Sequence, residues 1–180
     1  MMLKWMRENV YAAGLLLLVR LYVGYEWLTA GFHKLTGGFD ATGFLKNAVA
    51  KPIADKATGE LVYPTLTAFL EHFALPNAKL FNYLIPVGET LVGLGLILGC
   101  LTTAAAFFGL LMNFMFMFAG TLNTNPWLAL LGGIVILAGT NAARFGVDYY
   151  LMPALHNWLD KRHKGGRNNK AGGAAKPAHA

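Results

Sequence analysis

The chain has 180 residues, of which 56% are hydrophobic and only 13% charged, about half the roughly 25% charged residues of an average soluble domain. Residues 90–143 contain no charged residue and no histidine, a run that so short a chain could not bury all round in water. A soluble enzyme, a disordered chain and a nucleic-acid-binding domain are therefore poor readings, and the expected class is an all-α integral membrane four-helix bundle with short interfacial helices in its first outer loop.

The first span is expected at about 12–33. Lys4 and Arg7 precede it, but Arg20 interrupts the apolar stretch and no A-x-A site follows, so a retained span is favoured over a cleaved signal peptide. The following loop balances Lys46, Lys51, Lys56 and Lys79 against Asp40, Asp55, Glu60 and Glu71. Within it, 43–50 and 64–74 read as short amphipathic helices lying against the bundle, the second opened by Pro64. The uncharged run would measure about 81 Å as one helix, against a hydrocarbon core of ~30 Å, so it must fold back. Breaks at 99–103 and at the Asn-Thr-Asn-Pro stretch ending at Pro126 divide it into spans at about 80–98, 102–120 and 127–143. Residues 148–159, with Tyr149, Tyr150, His156 and Trp158, read as an interfacial helix that completes a membrane domain over 1–160.

Up to residue 160 nine basic residues offset nine acidic ones, so the formal net charge of +6 comes wholly from Lys161, Arg162, Lys164, Arg167, Lys170 and Lys176. The 161–180 tail has no apolar face to bury and is expected to be disordered. Its charge, with Lys4 and Arg7, predicts a multi-pass protein of the cytoplasmic (inner) membrane with both termini cytoplasmic and the tail against anionic lipid. No aromatic residue is interleaved with these charges, so nucleic acid is not an expected partner. Cys100 is the single cysteine, which removes an intrachain disulfide or a CxxC redox pair and leaves packing as its expected role.

An ionisable side chain inside a span costs at least ~2.5 kcal/mol on insertion scales and is expected to face protein or water. With Lys34 and Lys79 as the boundary, the helical rise puts Glu26 ~12 Å, Glu89 ~15 Å and Arg20 ~21 Å deep, and Asn113 ~15 Å from Asn123. At about 100° per residue, Arg20, Gly24, Trp27, Gly31 and Lys34 share one stripe of the first span, and Glu26 and His33 another. Asn82, Glu89, Gly93 and Cys100 align on the second span, and Gly109, Asn113, Phe116 and Gly120 on the third. Convergence of Arg20 or Glu26 with Glu89 and Asn113 has two readings: a buried ion pair and hydrogen-bond clip fixing the bundle, or a ligand pocket. His33 and Lys34 lie close enough to the boundary to snorkel. Arg144 and Asp148, four apart, suit a surface pair, and Asn123, Asn125 and Pro126 suit turn chemistry. The run of Met and Phe from Met112 to Phe118 suits lipid contact or packing, and would also suit a flat ring. No P-loop, HExxH, GxSxG or CxxCH motif is present, and no metal or haem site is expected.

Three stretches carry a resemblance: RLYVGYEWLTAGFHKLTGGFDATGFL (20–45), VGETLVGLGLILGCLTTAAAFFGLLMN (87–113) and GTNAARFGVDYYLMP (139–153). Their G-x-x-K-L, E-x-x-x-G-L-x-L-x-x-G and R-x-G-x-D elements stand in order, and the chain resembles the DoxX/DoxD family, most closely the DoxD-like small subunits of thiosulfate:quinone oxidoreductases. The resemblance implies a four-helix membrane subunit of a quinone-linked oxidoreductase, with electrons from two thiosulfates passing to quinone and tetrathionate formed. Quinone is then the electron acceptor. A second oxidoreductase subunit or soluble redox partner is implied, and a homo-oligomer is compatible with it. Carried over by motif, the residues at issue are Arg20, Glu26, Lys34, Glu89 and Asn113, with Trp27 on the same stripe. Glu89 and Glu26 would serve as catalytic proton carriers. Arg20, Lys34, Asn113 and Trp27 would bind substrate or quinone, the two cations attracting the thiosulfate dianion or a reduced quinone oxyanion. The alternatives are a non-catalytic membrane adaptor for a thiol or redox-stress complex, and a small-solute or proton carrier.

Overall fold

A computed structural model describes residues 1–155; the 161–180 tail and the end of the 148–159 segment, with His156 and Trp158, lie outside the described residues. Helix α1 (Met2–Glu8) leads into α2 (Val10–Thr36) through Asn9, which leaves the helical backbone at φ −82° and ψ 136°. The Asn9 side chain accepts hydrogen bonds from the Tyr11 and Ala12 N–H groups at 2.7 and 3.3 Å, so one residue both bends the chain and caps the long helix. The 27 residues of α2 rise about 40 Å, enough to cross a bilayer with tilt.

The loop after α2 folds into α3 (Ala41–Ala50) and α4 (Pro64–Phe69), which continues through a wide π turn at Leu70–Ala74. Asp40 caps α3, accepting from the Thr42 hydroxyl at 2.7 Å and the Thr42 N–H at 3.0 Å, and these bonds hold its carboxyl below the usual carboxylate range. The Ala41 N–H donates to Asn82 Oδ1 at 2.8 Å, which pins α3 to α5 (Ala78–Leu98). Leu45, Leu70, Ala74 and Ile85 bury themselves together at this junction. Helices α6 (Thr102–Phe118) and α7 (Asn125–Ala138) follow, α7 tightening into a 3₁₀ turn at Gly139–Ala143, and the chain is helical again from 148 to 155. The four long helices run up and down. One end of the bundle holds α1, the turn at 99–101 and the segment 139–148, and is called the terminal end; the other, with 37–77 and the turn at 119–124, is the loop end.

Three helices, Val10–Thr36, Ala78–Leu98 and Asn125–Ala143, are long and apolar enough to cross a membrane, and Thr102–Phe118 is a shorter apolar helix. The side chains are distributed inside out. Leu15, Leu18, Leu91, Phe107, Phe108, Leu130 and Leu137 face outward, while Arg20, Glu89, Asn113 and Asp148 are buried. Apolar outward faces suit lipid, and polar groups turned inward suit the lack of water there. This is the helical membrane bundle that the composition predicts.

Helices α2 and α5 form the closest pair, α6 pairs with α7, and α5 meets α6 less fully. The α2–α5 seam is built on the two stripes read from the sequence. A Cβ added at Gly24 would stand 2.8 Å from Ile97, one at Gly31 would stand 2.6 Å from the Thr90 nitrogen, and one at Gly93 would run into the Leu28 backbone. Glycines let these two helices approach closely enough for backbone contact. Since Leu28 meets Gly93 with backbone atoms that cannot swing aside, Gly93→Ala should lower stability by about 1–3 kcal/mol. Thermal unfolding in detergent checks this, with Gly14→Ala, where a Cβ meets nothing, as the neutral control.

Candidate functional site

The buried charges divide between the two ends of the bundle. At the terminal end Arg20, 1% exposed, donates from Nη1 to the Ala142 carbonyl and from Nη2 to the Phe145 carbonyl, each at 3.0 Å. Its Nε is buried without a partner among the described residues. Gly99 and Gly146 give it room: a Cβ at Gly99 would strike the guanidinium, and one at Gly146 would stand 2.7 Å from the Gly99 Cα. The Val147 and Asp148 N–H groups donate to the Leu98 and Gly99 carbonyls at 3.1 and 2.8 Å. Asp148 completes the knot. Its carboxylate acts on Arg20 through space and accepts the Leu101 and Thr102 N–H groups at 2.7 and 2.8 Å. It thereby caps α6 from 46 residues away in sequence and sets a negative charge at a helix N-terminus.

This arrangement corrects two expectations. Arg20 does not converge with Glu89. Helical side chains lean towards their own N-terminus, so Arg20 on α2 reaches towards the terminal end, away from Glu89. Asp148 does not form a surface pair with Arg144: it is 4% exposed and its oxygens are taken by the α6 cap, while Arg144 is exposed.

At the loop end Lys34 Nζ donates to both Glu89 oxygens, at 2.8 and 2.7 Å. Lys34 is 29% exposed at its side chain and Glu89 2%. The same lean explains the pair. Lys34 on α2 tilts inward from the boundary, Glu89 on the antiparallel α5 tilts outward, and their heads meet. Lys34 therefore does not snorkel to the interface, whereas His33 is exposed. The ammonium also stands 5.7 Å from the centre of the Phe39 ring, within cation–π range.

The pair lies in the wall of a cavity of about 330 Å³ lined also by Glu26, Trp27, Phe44, Ile85 and Phe116, and by the turn residues Thr121, Asn123, Thr124 and Asn125. Trp27 is 3% exposed, and Gly109 makes space for it, since a Cβ there would stand 3.2 Å from the indole nitrogen. Glu26 is half-buried, and its carboxylate has no hydrogen-bond or ion-pair partner among the described residues. Asn113 is 1% exposed with Oδ1 unpartnered among the described residues, one turn from Phe116 on α6, and is not part of the lining. Four of the six predicted site residues, Glu26, Trp27, Lys34 and Glu89, thus share one cavity, and Arg20 and Asn113 stand outside it. The fourth wall, Thr121 to Asn125, reads from sequence as turn chemistry alone. Asn125 does hold its turn, Nδ2 donating to the Thr121 carbonyl at 2.9 Å, and the same turn faces the cavity.

Chemically, the cavity offers a fixed ammonium, two carboxylates, neutral amide and hydroxyl groups and aromatic walls. With both carboxylates ionised, its one cation and two anions sum to a formal charge of −1. It suits a neutral ligand that accepts a hydrogen bond better than an anion. No three His, Cys, Asp or Glu side chains converge as metal ligands among the described residues.

Removing Lys34 would leave Glu89 buried and uncompensated. Lys34→Met is expected to destabilise by about 3 kcal/mol, and adding Glu89→Leu should restore most of the loss. At the other end Asp148→Ala removes the α6 cap and a countercharge for Arg20 together and should cost about 3 kcal/mol or more, Asp148→Asn less. Chemical unfolding of the purified variants in detergent gives both orders.

The DoxX family model matches residues 15–122, from the first turns of α2 to the turn after α6 and more than half of the chain. No curated protein matches the chain, and neither does any solved structure.

Proposed function

The chain belongs to the DoxX family, and on that premise we propose that it is the membrane subunit of a quinone-linked oxidoreductase whose quinone ring is received in the loop-end cavity. The observation that carries this reading is the Lys34–Glu89 pair in the wall of a cavity of about 330 Å³, part polar and part aromatic, within a membrane bundle. That volume falls in the range of small-ligand sites. Ionisable side chains within a span are costly, and a pair kept there beside a cavity is consistent with use at that cavity.

Reducing a quinone to a quinol takes two electrons and two protons. Lys34, with its remaining N–H directed away from Glu89, would hold a quinone carbonyl by a charge-assisted hydrogen bond and favour negative charge developing on that oxygen. Glu89 fixes the ammonium in position. Glu26, on the same cavity wall and without a partner for its carboxylate among the described residues, is the carboxyl that would take up and pass on protons. Trp27, Phe44 and Phe116 provide flat surfaces for a ring. Arg20 has no part in this chemistry, because its guanidinium lies in the terminal-end knot, bonded to the Ala142 and Phe145 carbonyls and away from the cavity.

Thiosulfate is the proposed donor, two thiosulfates giving tetrathionate and two electrons. The negative sum of the cavity charges does not attract a dianion, so its oxidation is assigned to a water-facing surface or a second subunit rather than to this cavity. The positive charge of Lys4, Arg7 and residues 161–180 favours a cytoplasmic terminal end, and the cavity would then open near the opposite face of the membrane.

The test is thiosulfate-dependent quinone reduction by membranes carrying the whole complex. Glu26→Gln should lower the rate by roughly 10²-fold with the melting temperature in detergent near that of the parent, and Glu89→Gln, which also breaks the ion pair with Lys34, should lower both the rate and the melting temperature. Wild-type rates in both variants would remove the catalytic reading and leave a non-catalytic adaptor. Quinone reduction without thiosulfate dependence would remove the donor alone.

A further inference from the structure

A second and larger recess, about 720 Å³, lies between α5 and α6, and its lining is almost wholly apolar. Gly88, Leu91 and Gly95 form one wall and Ala104, Phe108 and Met115 the other. The two helices meet directly where Gly95 faces Ala105, a Cβ there standing 2.8 Å from the Ala105 Cβ. At Gly88 only the Met112 thioether reaches across, its sulfur 3.3 Å from where a Cβ would stand. Helices α5 and α6 meet less fully than the α2–α5 and α6–α7 pairs, and the recess runs along their seam.

This groove and the polar cavity share Phe44, Ile85 and Phe116 as common walls. The Phe44 and Phe116 rings stand edge to face with centroids 6.1 Å apart at that junction. Polar and apolar spaces thus adjoin in one direction: charged head at Lys34 and Glu89, aromatic junction, then a long hydrocarbon-like trough. We infer that the α5–α6 groove holds the hydrocarbon tail of a membrane amphiphile whose neutral head occupies the Lys34–Glu89 cavity, the ligand reaching the site sideways from the bilayer. The identity of the head rests on the quinone reading above. With Glu26 ionised, a phosphate group in the head position would meet two carboxylates against the single ammonium of Lys34. A neutral ring with carbonyl acceptors meets no such repulsion. The tail replaces lipid contacts with protein contacts in a groove too apolar for water.

The experiment uses the full chain in lipid nanodiscs and three photoactivatable or competing probes: a quinone carrying a diazirine on a long isoprenoid tail, the same quinone without a tail, and a diazirine-tailed phosphatidylcholine. The tailed quinone should label peptides of 88–115 saturably, should be displaced by unlabelled quinone, and should bind about tenfold or more tighter than the tail-less compound. In a variant with Leu91→Phe and Ala104→Phe, both exposed positions of the groove, that ratio should collapse towards one, with the melting temperature as the check on folding. Persistence of the ratio in the filled variant, or labelling on the outward faces of α2 or α7 instead, overturns the inference. Equal, non-saturable labelling by the phospholipid shows that bulk lipid alone fills the groove and also overturns it. If the tail-less quinone binds and the tail adds nothing, only the groove inference fails; if neither quinone binds, the quinone reading falls with it.

Discussion

A charge placed within a span must find its partner inside the protein, and this constraint organises the molecule. Arg20 and Glu89 are both almost fully buried, yet neither serves the other. Each is answered locally: Glu89 by Lys34, Arg20 by two carbonyls and the field of Asp148. Because hydrocarbon offers no water to solvate a stray donor, these partners fix how deep each helix sits and which face it turns inward. Opposite ends of the bundle are thereby locked by different chemistry.

The two locks have different consequences. At the terminal end the guanidinium, two glycines and a carboxylate close the space completely, and the carboxylate also begins α6. These contacts hold the 99–102 turn against the 142–148 segment, and this end works as a foundation. At the loop end the ion pair stands in an open wall, and the surrounding segments, α3, the π turn and the turn at 119–124, make a rim rather than a plug. Close packing through Gly24, Gly31 and Gly93 holds α2 to α5, so the spacing of Lys34 and Glu89 is set by backbone contacts and not by the pair alone. Helices α5 and α6 meet less fully than α2 and α5, and the apolar recess lies along their seam.

Electrostatic count also narrows the ligand class. The sequence invites a reading in which Arg20 and Lys34 draw an anion together. Once Arg20 is committed elsewhere and Lys34 is already matched by Glu89, no unmatched cation among the described lining residues remains to draw an anion in. Within the family reading this separates the two substrates of the proposed reaction. On the proposed reading, a neutral ring with acceptor oxygens would occupy the membrane cavity, and a dianionic donor would meet a surface that water reaches.

Much of the fold was legible beforehand. The uncharged run of 54 residues is too long for one crossing and too apolar for anything but lipid, and its breaks at Gly99 and at the Asn-Thr-Asn-Pro turn follow from backbone chemistry. The facing of Trp27, Lys34, Glu89 and Gly93 was legible too, because helical periodicity alone puts them on inward stripes. Which charge answers which was not. Depth counted along helix axes treats Arg20, Glu89 and Asn113 as near neighbours, whereas side chains lean towards the start of their helix and antiparallel neighbours lean apart or together accordingly. Nor could periodicity reveal that Asp148 caps a helix 46 residues earlier, or that the turn from Thr121 to Asn125 closes a cavity. The amino-acid order determines what each helix must hide; only the packed chain decides between partners, since contacts made across elements depend on directions and distances that no single element contains.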